Sequence, residues 1–347
     1  MANRFQIGLD TFGDVTTAGE GQPQSQARVL RDVVEEAVLA DGLGLDAFGV
    51  GEHHRSDFAI SAPEVVLAAI AGRTRQILLG SAVTVLSTDD PVRVFERFST
   101  LDALSSGRAE VILGRGSFTE SYPLFGYDLG DYEELFEDKL SLFAELVKGG
   151  PVTWSGSTRA PLKGTVVYPP VEHGALKVWI GVGGSPESIV RAARYGFPLT
   201  LAIIGGSPLR FKPLVDLYRN TLEKLGRPML PVAVHSPGHV APTDEAAREE
   251  LWPHYQAMIT RIGAERGWPP VSRGQYEREA GPDGALCVGS PATVADKIVR
   301  TSRALGLARF NVKYSAGTLP HAAMMRSIEL MGREVAPRVR EALAAAS

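Results

Sequence analysis

The stretch that decides the fold is "ILLGSAVTVLSTDDPVRVFERFSTLDALSSGRAEVILGRG", residues 77–116. It opens with apolar and β-branched residues, which are typical of a strand buried on both faces. Asp90 and Pro91 then form a helix-start signal, and Gly107 ends a segment whose apolar residues recur at helical spacing. A second apolar run, "AEVILGRGS", follows directly. Strand, helix and strand in this order predict a parallel βαβ unit.

The same alternation extends in both directions along the chain. Helical patterns follow the other apolar runs, with Ser61 and Thr243 as candidate caps. Eight βα units predict a (β/α)8 TIM barrel, an α/β fold, formed by residues 1–347 as a single domain. An open, doubly wound sheet is the alternative. The other six strands are predicted at 4–10, 46–52, 177–184, 199–206, 231–241 and 308–317.

Two segments interrupt this regular pattern. Residues 151–174 are rich in Pro, Gly and Thr, and they predict a surface insertion after the fourth βα unit, for which a hairpin is one possible form. Residues 266–288 are polar and predict a loop before the last unit.

Bulk composition narrows the function classes. A net charge of −4 and a pI of about 6.0 argue against binding to nucleic acid or to an anionic membrane surface. Cys287 is the only cysteine, so an internal disulfide is excluded. The amino terminus has no apolar leader pattern and no stretch has the apolar length of a membrane span, so we expect a cytoplasmic protein.

The densest group of titratable residues, "GVGEHHRSDF" at residues 49–58, follows the second strand. Barrel active sites lie where strands end and βα loops begin, so this group is a candidate site. If the strand continues there, neighbouring side chains alternate, and only one of His53 and His54 faces the barrel mouth. That alternation argues against a metal site built from both histidines, and we predict no metal centre.

Two other strand ends carry features that suit an anion. Arg115 lies between two glycines after the fourth strand, and a guanidinium can bind a phosphate through two hydrogen bonds. "GVGGSPES", residues 181–188, runs from the fifth strand into a helix amino terminus, where backbone N–H groups favour negative charge. A capped tight turn is an equally good interpretation of the second motif.

Other side chains have the right position along the chain to reach the mouth. His235 and His239 lie near the end of the seventh strand. Phe12, Phe118 and Tyr122 lie in loops after strands and are candidates for an apolar lining, although ordinary core packing is an alternative for each.

Taken together and in order, these motifs resemble the bacterial luciferase-like flavin monooxygenase family. The similarity is carried by "EHH" (52–54), the segment 80–108, "GRG" (114–116), "GGSPES" (183–188) and "CVGSPATVADKI" (287–298). They cover nearly the whole chain. The resemblance implies a (β/α)8 barrel that binds reduced FMN, or a deazaflavin coenzyme in a sister branch.

The resemblance also implies roles for individual residues. The flavin phosphate would be bound by Arg115 and Ser117 on one side and by Gly184, Ser185 and Ser188 on the other. The family's glutamate is absent at Gly184, so that contact would be made by the backbone alone. A cis peptide bond at Ala82–Val83 would support the flavin ring, and His53 would be the catalytic base, with Glu52 and Arg55 orienting it.

The function implied is oxygenation of a small organic substrate by reduced FMN and O₂. A separate flavin reductase would supply the reduced flavin, and a homodimer is expected. A deazaflavin-dependent dehydrogenase and a flavin-binding protein without turnover are the alternatives.

Overall fold

A closed ring of eight parallel strands forms the centre of the molecule, as the sequence predicts. The computed structural model describes residues 4–17, 22–116, 118–172 and 174–345. Each strand pairs with the next, and the last pairs with the first in the register Gln6 to Arg309, which closes the barrel. The strands are β1 (Gln6–Thr11), β2 (Ala47–Val50), β3 (Leu78–Ser81), β4 (Ala109–Gly114), β5 (Lys177–Val182), β6 (Leu199–Ala202), β7 (Val232–Val240) and β8 (Arg309–Lys313).

Helices surround this ring and bury one face against it. Their apolar residues belong to a continuous core between the helices and the strands. A short π-helical turn, Met331–Val335, joins the last two helices. The helices are Gln26–Gly42, Pro63–Ala71, Pro91–Ser105, Ser121–Leu124, Tyr132–Leu146, Pro186–Tyr195, Lys212–Lys224, Asp244–Glu265, Arg273–Ala280, Pro291–Leu305, His321–Leu330 and Ala336–Ala344.

The observed helix caps can be compared with the caps predicted from the sequence. Asp90 accepts hydrogen bonds from the backbone of Val92 and Arg93, and Thr243 accepts one from Ala246, so both predicted caps are confirmed. The prediction of Ser61 as a cap is wrong. Pro63 is the first helical residue, so the cap position falls on Ala62, which has no side-chain oxygen.

The predicted insertion after the fourth βα unit is confirmed as a hairpin. Strands Val152–Trp154 and Leu162–Thr165 pair in antiparallel fashion. Trp154 Nε1 donates a hydrogen bond to Ser141 Oγ at 2.8 Å, which attaches the hairpin to the helix Tyr132–Leu146.

The prediction of a loop throughout 266–288 is wrong. A helix occupies Arg273–Ala280, and Cys287–Gly289 forms a short strand parallel to the end of β7. The helix forms because Ser272 caps it and because Tyr276, which is fully buried, packs against the rings of Trp252 and Tyr255. Burial of Tyr276 therefore stabilises a helix in a segment whose composition is otherwise polar.

The amino-terminal end of the barrel interior is filled. Ile112, Trp179 and Ala233 form a small cluster inside the ring. Next to it, Arg309 and Glu110 form an ion pair whose side chains are each only 3% exposed, and the Arg309 guanidinium lies 4.9 Å from the Trp179 ring centre. Free space inside the barrel therefore lies toward the carboxyl ends of the strands.

Among the described residues, none of the helices combines the length and the apolar character needed to cross a membrane.

Candidate functional site

A cavity of about 680 Å³ opens at the carboxyl ends of the barrel strands. Residues from the ends of most barrel strands line it, together with the long segment that follows β7. Its aromatic and apolar lining includes Phe12, Phe58, Val83, Phe118, Tyr255, Met258, Ile262 and Trp268. Its polar lining includes Asp10, Glu52, His53, His54, Arg115, Glu120, Thr200, Arg210, His235, Arg266 and Lys313.

Both histidines of the "EHH" motif line this cavity, so the alternation expected for a continuing strand does not apply. The reason is that β2 ends at Val50, and the backbone from Gly51 onward is irregular. His53 is buried, with 8% of its surface exposed.

Aromatic rings enclose the His53 imidazole. The ring centres of Phe12, Phe58 and Phe118 lie 4.7, 4.5 and 4.8 Å from its own. Its Nδ1 lies 3.4 Å from Glu120 Oε1. Burial opposes ionisation of Glu120, yet the hydrogen bond from His53 lowers the pKa of that carboxyl. The arrangement leaves His53 with one carboxylate neighbour in a largely apolar enclosure.

Among the described residues, neither Glu52 nor Arg55 forms a hydrogen bond or ion pair with His53, so the structure does not support the expectation that they orient it. Glu52 Oε1 lies 2.9 Å from His54 Nε2, and its Oε2 accepts a hydrogen bond from the Val85 backbone at 2.8 Å. Arg55 pairs with Asp57 and Glu265. Glu52 therefore fixes His54 and the chain that follows β3, while Glu120, which the sequence reasoning missed, is the residue beside His53.

The Ala82–Val83 peptide bond is cis, as the sequence resemblance predicts. Two glycines leave space for the Val83 side chain. A Cβ at Gly114 would lie 2.5 Å from Val83 Cγ2, and one at Gly181 would lie 2.9 Å from Val83 Cγ1. Val83 is thereby seated between β4 and β5, and both Ala82 and Val83 face the cavity.

Arg115 lies at the β4 side of the cavity within a network of charges. It forms an ion pair with Glu133, whose other carboxylate oxygen lies 2.9 Å from Arg191. Its guanidinium also lies 5.0 Å from the Tyr132 ring centre. Ser117 lies outside the described residues.

The segment after β5 brings a helix amino terminus to the same side. Gly181 and Gly183 line the cavity, and Gly184, with φ of +127°, leads into the helix that begins at Pro186. Ser185 caps this helix by accepting a hydrogen bond from Ser188 N at 3.3 Å. Ser188 Oγ is buried and has no hydrogen-bond partner among the described residues. Gly184, Ser185 and Ser188 do not themselves line the cavity.

An acidic side chain accompanies this helix start. Glu187 has a lowered pKa, chiefly because it accepts a hydrogen bond from its own backbone and another from Ser185 Oγ at 2.8 Å. Arg115 and Arg191 lower it further. Arg191 lies on this helix, and it shares the Glu133 carboxylate with Arg115, so the two predicted anion-binding features lie close together.

Of the other candidates, His235, Phe12 and Phe118 line the cavity, whereas His239 and Tyr122 do not. His239 is fully buried beside Glu250, and burial lowers its pKa. Tyr122 donates a hydrogen bond to the Arg115 carbonyl at 3.1 Å, and burial raises its pKa to about 12.

Comparison with known proteins identifies the family. The family profile described as luciferase-like monooxygenase matches residues 11–309. The chain belongs to the luciferase-like monooxygenase family.

Two curated relatives illustrate the range of sequence similarity. The 4-hydroxyprotoasukamycin monooxygenase of Streptomyces nodosus subsp. asukaensis is 28% identical over 329 residues, which are 89% of this chain and 87% of that protein. The "Uncharacterized protein y4wF" of Sinorhizobium fredii is 32% identical over 197 residues, so the match spans only 56% of the length of each chain.

Three solved structures share the fold. The monooxygenase RslO1 from Streptomyces bottropensis has a TM-score of 0.83 at 20% identity, covering 96% of this chain and 99% of its own. The oxygenating constituent of 3,6-diketocamphane monooxygenase from Pseudomonas putida, in complex with FMN, has 0.77 at 20% identity, covering 97% and 99%. An F420-dependent secondary alcohol dehydrogenase, in complex with an F420–acetone adduct, has 0.75 at 17% identity, with the same coverage. At these identities the likeness shows the fold alone.

Proposed function

We propose that this luciferase-like protein is a flavin-dependent monooxygenase that uses reduced FMN and O₂ to oxygenate a small organic substrate. The observation that carries the proposal is that one cavity is lined by Arg115 and by the glycines that lead into a helix amino terminus on one side, and by an enclosed imidazole on another. Such a cavity suits a long, flat ligand with a phosphate at one end.

The residues present fit a flavin phosphate. Arg115 supplies a guanidinium, the helix beginning at Pro186 supplies backbone N–H groups, and Ser188 Oγ is a buried hydroxyl without a partner among the described residues. Ala82 and Val83 line the cavity, and Val83 packs over Gly114 and Gly181, so this segment offers a surface on which a planar ring would rest. Bound there, a reduced flavin would supply the electrons that activation of O₂ requires.

The chain's own residues would then control water and protons. Phe12, Phe58 and Phe118 keep bulk water away from His53, which strengthens electrostatic interactions inside the cavity. We assign His53 as the acid–base group, because its Nδ1 faces Glu120 and its other ring nitrogen is available to hold or move a proton.

The remaining assignments belong to the same proposal. A separate reductase would supply the reduced flavin, the protein would act as a cytoplasmic homodimer, and residues 1–347 would form a single domain. Size-exclusion chromatography with light scattering tests the dimer, and a monomer at micromolar concentration would contradict it.

Absorbance of the purified protein mixed with FMN tests the cofactor. We expect an oxidised FMN spectrum that stays with the protein through gel filtration, and O₂ consumption that rises when a substrate is added to the reduced complex. Retention of a deazaflavin instead would favour a dehydrogenase on the same barrel. Retention of FMN without turnover of any screened substrate would favour a flavin-binding protein.

The variant Arg115→Ala is expected to weaken FMN binding by about 1.5–3 kcal/mol, the size of a hydrogen bond to a charged group. Arg115 is the only arginine that we propose to bind the phosphate. Fluorescence titration of FMN measures the change, with riboflavin, which lacks the phosphate, as the matched ligand. Unchanged FMN affinity would reject the phosphate assignment, and riboflavin should bind both proteins equally.

The variant Glu133→Gln is expected to strengthen FMN binding by about 0.5–1 kcal/mol, because it removes a solvent-exposed carboxylate that competes for Arg115. Glu145→Gln is the control, since it removes an exposed carboxylate from the same helix that pairs with Lys148. The same titration checks both variants. Weaker binding in Glu133→Gln would show that the carboxylate holds Arg115 in place for the phosphate.

A further inference from the structure

A buried carboxylate–imidazole pair faces the cavity from the side opposite Arg115. His235 on β7 and Asp10 on β1 both line the cavity, and His235 Nδ1 lies 2.8 Å from Asp10 Oδ2. Asp10 is 1% exposed and His235 is 9% exposed. In the eight-stranded ring, β7, β8 and β1 lie across from β4 and β5, where Arg115 and Ser185 are.

The geometry fixes which imidazole nitrogen faces a ligand. A carboxylate only accepts hydrogen bonds, so in the neutral imidazole Asp10 holds the proton on Nδ1 and leaves Nε2 as an acceptor. Nε2 has no hydrogen-bond partner in the part of the chain that the structure describes. Gly49 makes the arrangement possible, because a Cβ there would lie 2.2 Å from Asp10 Oδ1.

The surroundings of His235 are aromatic on one side and polar on the other. The Phe12 ring stacks on the imidazole with a centre distance of 6.0 Å and an interplanar angle of 12°. Thr200 on the neighbouring β6 lines the cavity, and its buried Oγ1 has no partner among the described residues. A ligand placed here would lie beside the Phe12 ring, which also lines the cavity, and would present a hydrogen-bond donor to the imidazole.

We propose that the substrate is an aromatic compound bearing a hydroxyl group, and that His235, oriented by Asp10, accepts the hydrogen bond of that hydroxyl. The proposal rests on the proposed function, and it assigns the substrate to the β7–β8–β1 side of the cavity and the flavin phosphate to the β4–β5 side. His235 is then the specificity-determining residue, and Asp10 is a positioning residue that acts through it.

Isothermal titration calorimetry of the FMN-saturated, oxidised protein tests this with two probes, 2-naphthol and 2-methoxynaphthalene. The ether has the same ring system but cannot donate a hydrogen bond. We expect the wild-type protein to bind 2-naphthol at least 10-fold more tightly, because a buried acceptor left unpaired disfavours the ether. Equal affinities would overturn the proposal without any variant.

The variant Asp10→Asn provides a second test of the hydrogen bond to His235. An amide can donate to Nδ1, which moves the imidazole proton to Nε2 and removes the acceptor, so the preference should fall below 3-fold. FMN affinity should change by less than 3-fold. Glu250→Gln is the matched control, since it alters the carboxylate beside His239, which does not line the cavity, and it should keep the full preference.

The outcomes separate this inference from the function on which it rests. Loss of FMN affinity in Asp10→Asn with an intact naphthol preference would place the flavin, not the substrate, on His235 and overturn the inference. Failure of the wild-type protein to bind FMN would overturn the proposed function, and the naphthol preference of the unloaded protein would still decide the role of His235.

Discussion

The variant His53→Ala is expected to lower turnover by about 10²–10⁴-fold, the usual contribution of a positioned acid–base group. The imidazole is the titratable group that Phe12, Phe58 and Phe118 enclose, and Glu120 lies 3.4 Å from its Nδ1. Alanine removes the proton carrier and leaves the Arg115 side of the cavity untouched. FMN affinity should therefore stay within about 3-fold of the wild-type value, well under the 1.4 kcal/mol that a tenfold change represents.

Product formation from a substrate found by screening, together with FMN titration, measures the two quantities separately. His254→Ala is the control, because His254 is a half-buried imidazole that bonds to Thr318 and does not line the cavity. Wild-type turnover in His53→Ala would remove this residue from the mechanism. A parallel loss of FMN binding would make it a cofactor ligand instead.

The variant Glu110→Gln is expected to destabilise the protein by about 3–5 kcal/mol, because it leaves the buried Arg309 guanidinium charged and without a carboxylate partner inside the barrel. The double variant Glu110→Met/Arg309→Met should recover most of that loss, since two apolar side chains replace the whole pair. Urea unfolding followed by circular dichroism gives the free energies. A change below 0.5 kcal/mol in Glu110→Gln, the size typical of surface substitutions, would contradict the importance of the pair.

The barrel could be predicted because its determinants are local. The apolar runs of the eight strands, the caps Asp90 and Thr243 and the breaks in residues 151–174 all act within a few residues of chain, and each leaves a pattern in the sequence. The predicted cap at Ser61 was wrong by one position, because the helix begins at Pro63. The helix Arg273–Ala280 was missed because its stability comes from Tyr276 packing on Trp252 and Tyr255, which local polarity does not reveal.

The site was predictable in its location but not in its pairings. His53 and Arg115 were expected to follow strands and face the barrel mouth, and both line the cavity there. Glu120, however, is 67 residues from His53, and Asp10 is 225 residues from His235. Such pairs are created by closure of the barrel, so no spacing in the sequence announces them. The contact of Glu52 with the Val85 backbone was also missed, because it joins the loops that follow the neighbouring strands β2 and β3.

We propose above all that the cavity at the carboxyl ends of the strands binds FMN with its phosphate at Arg115 and its ring beside His53. A crystal structure of the protein with bound FMN tests it most directly. We expect phosphate oxygens within hydrogen-bond distance of Arg115 and of the backbone N–H groups at the start of the helix Pro186–Tyr195, with the ring against Ala82–Val83. An empty cavity at saturating FMN, or a phosphate bound elsewhere, would contradict this proposal.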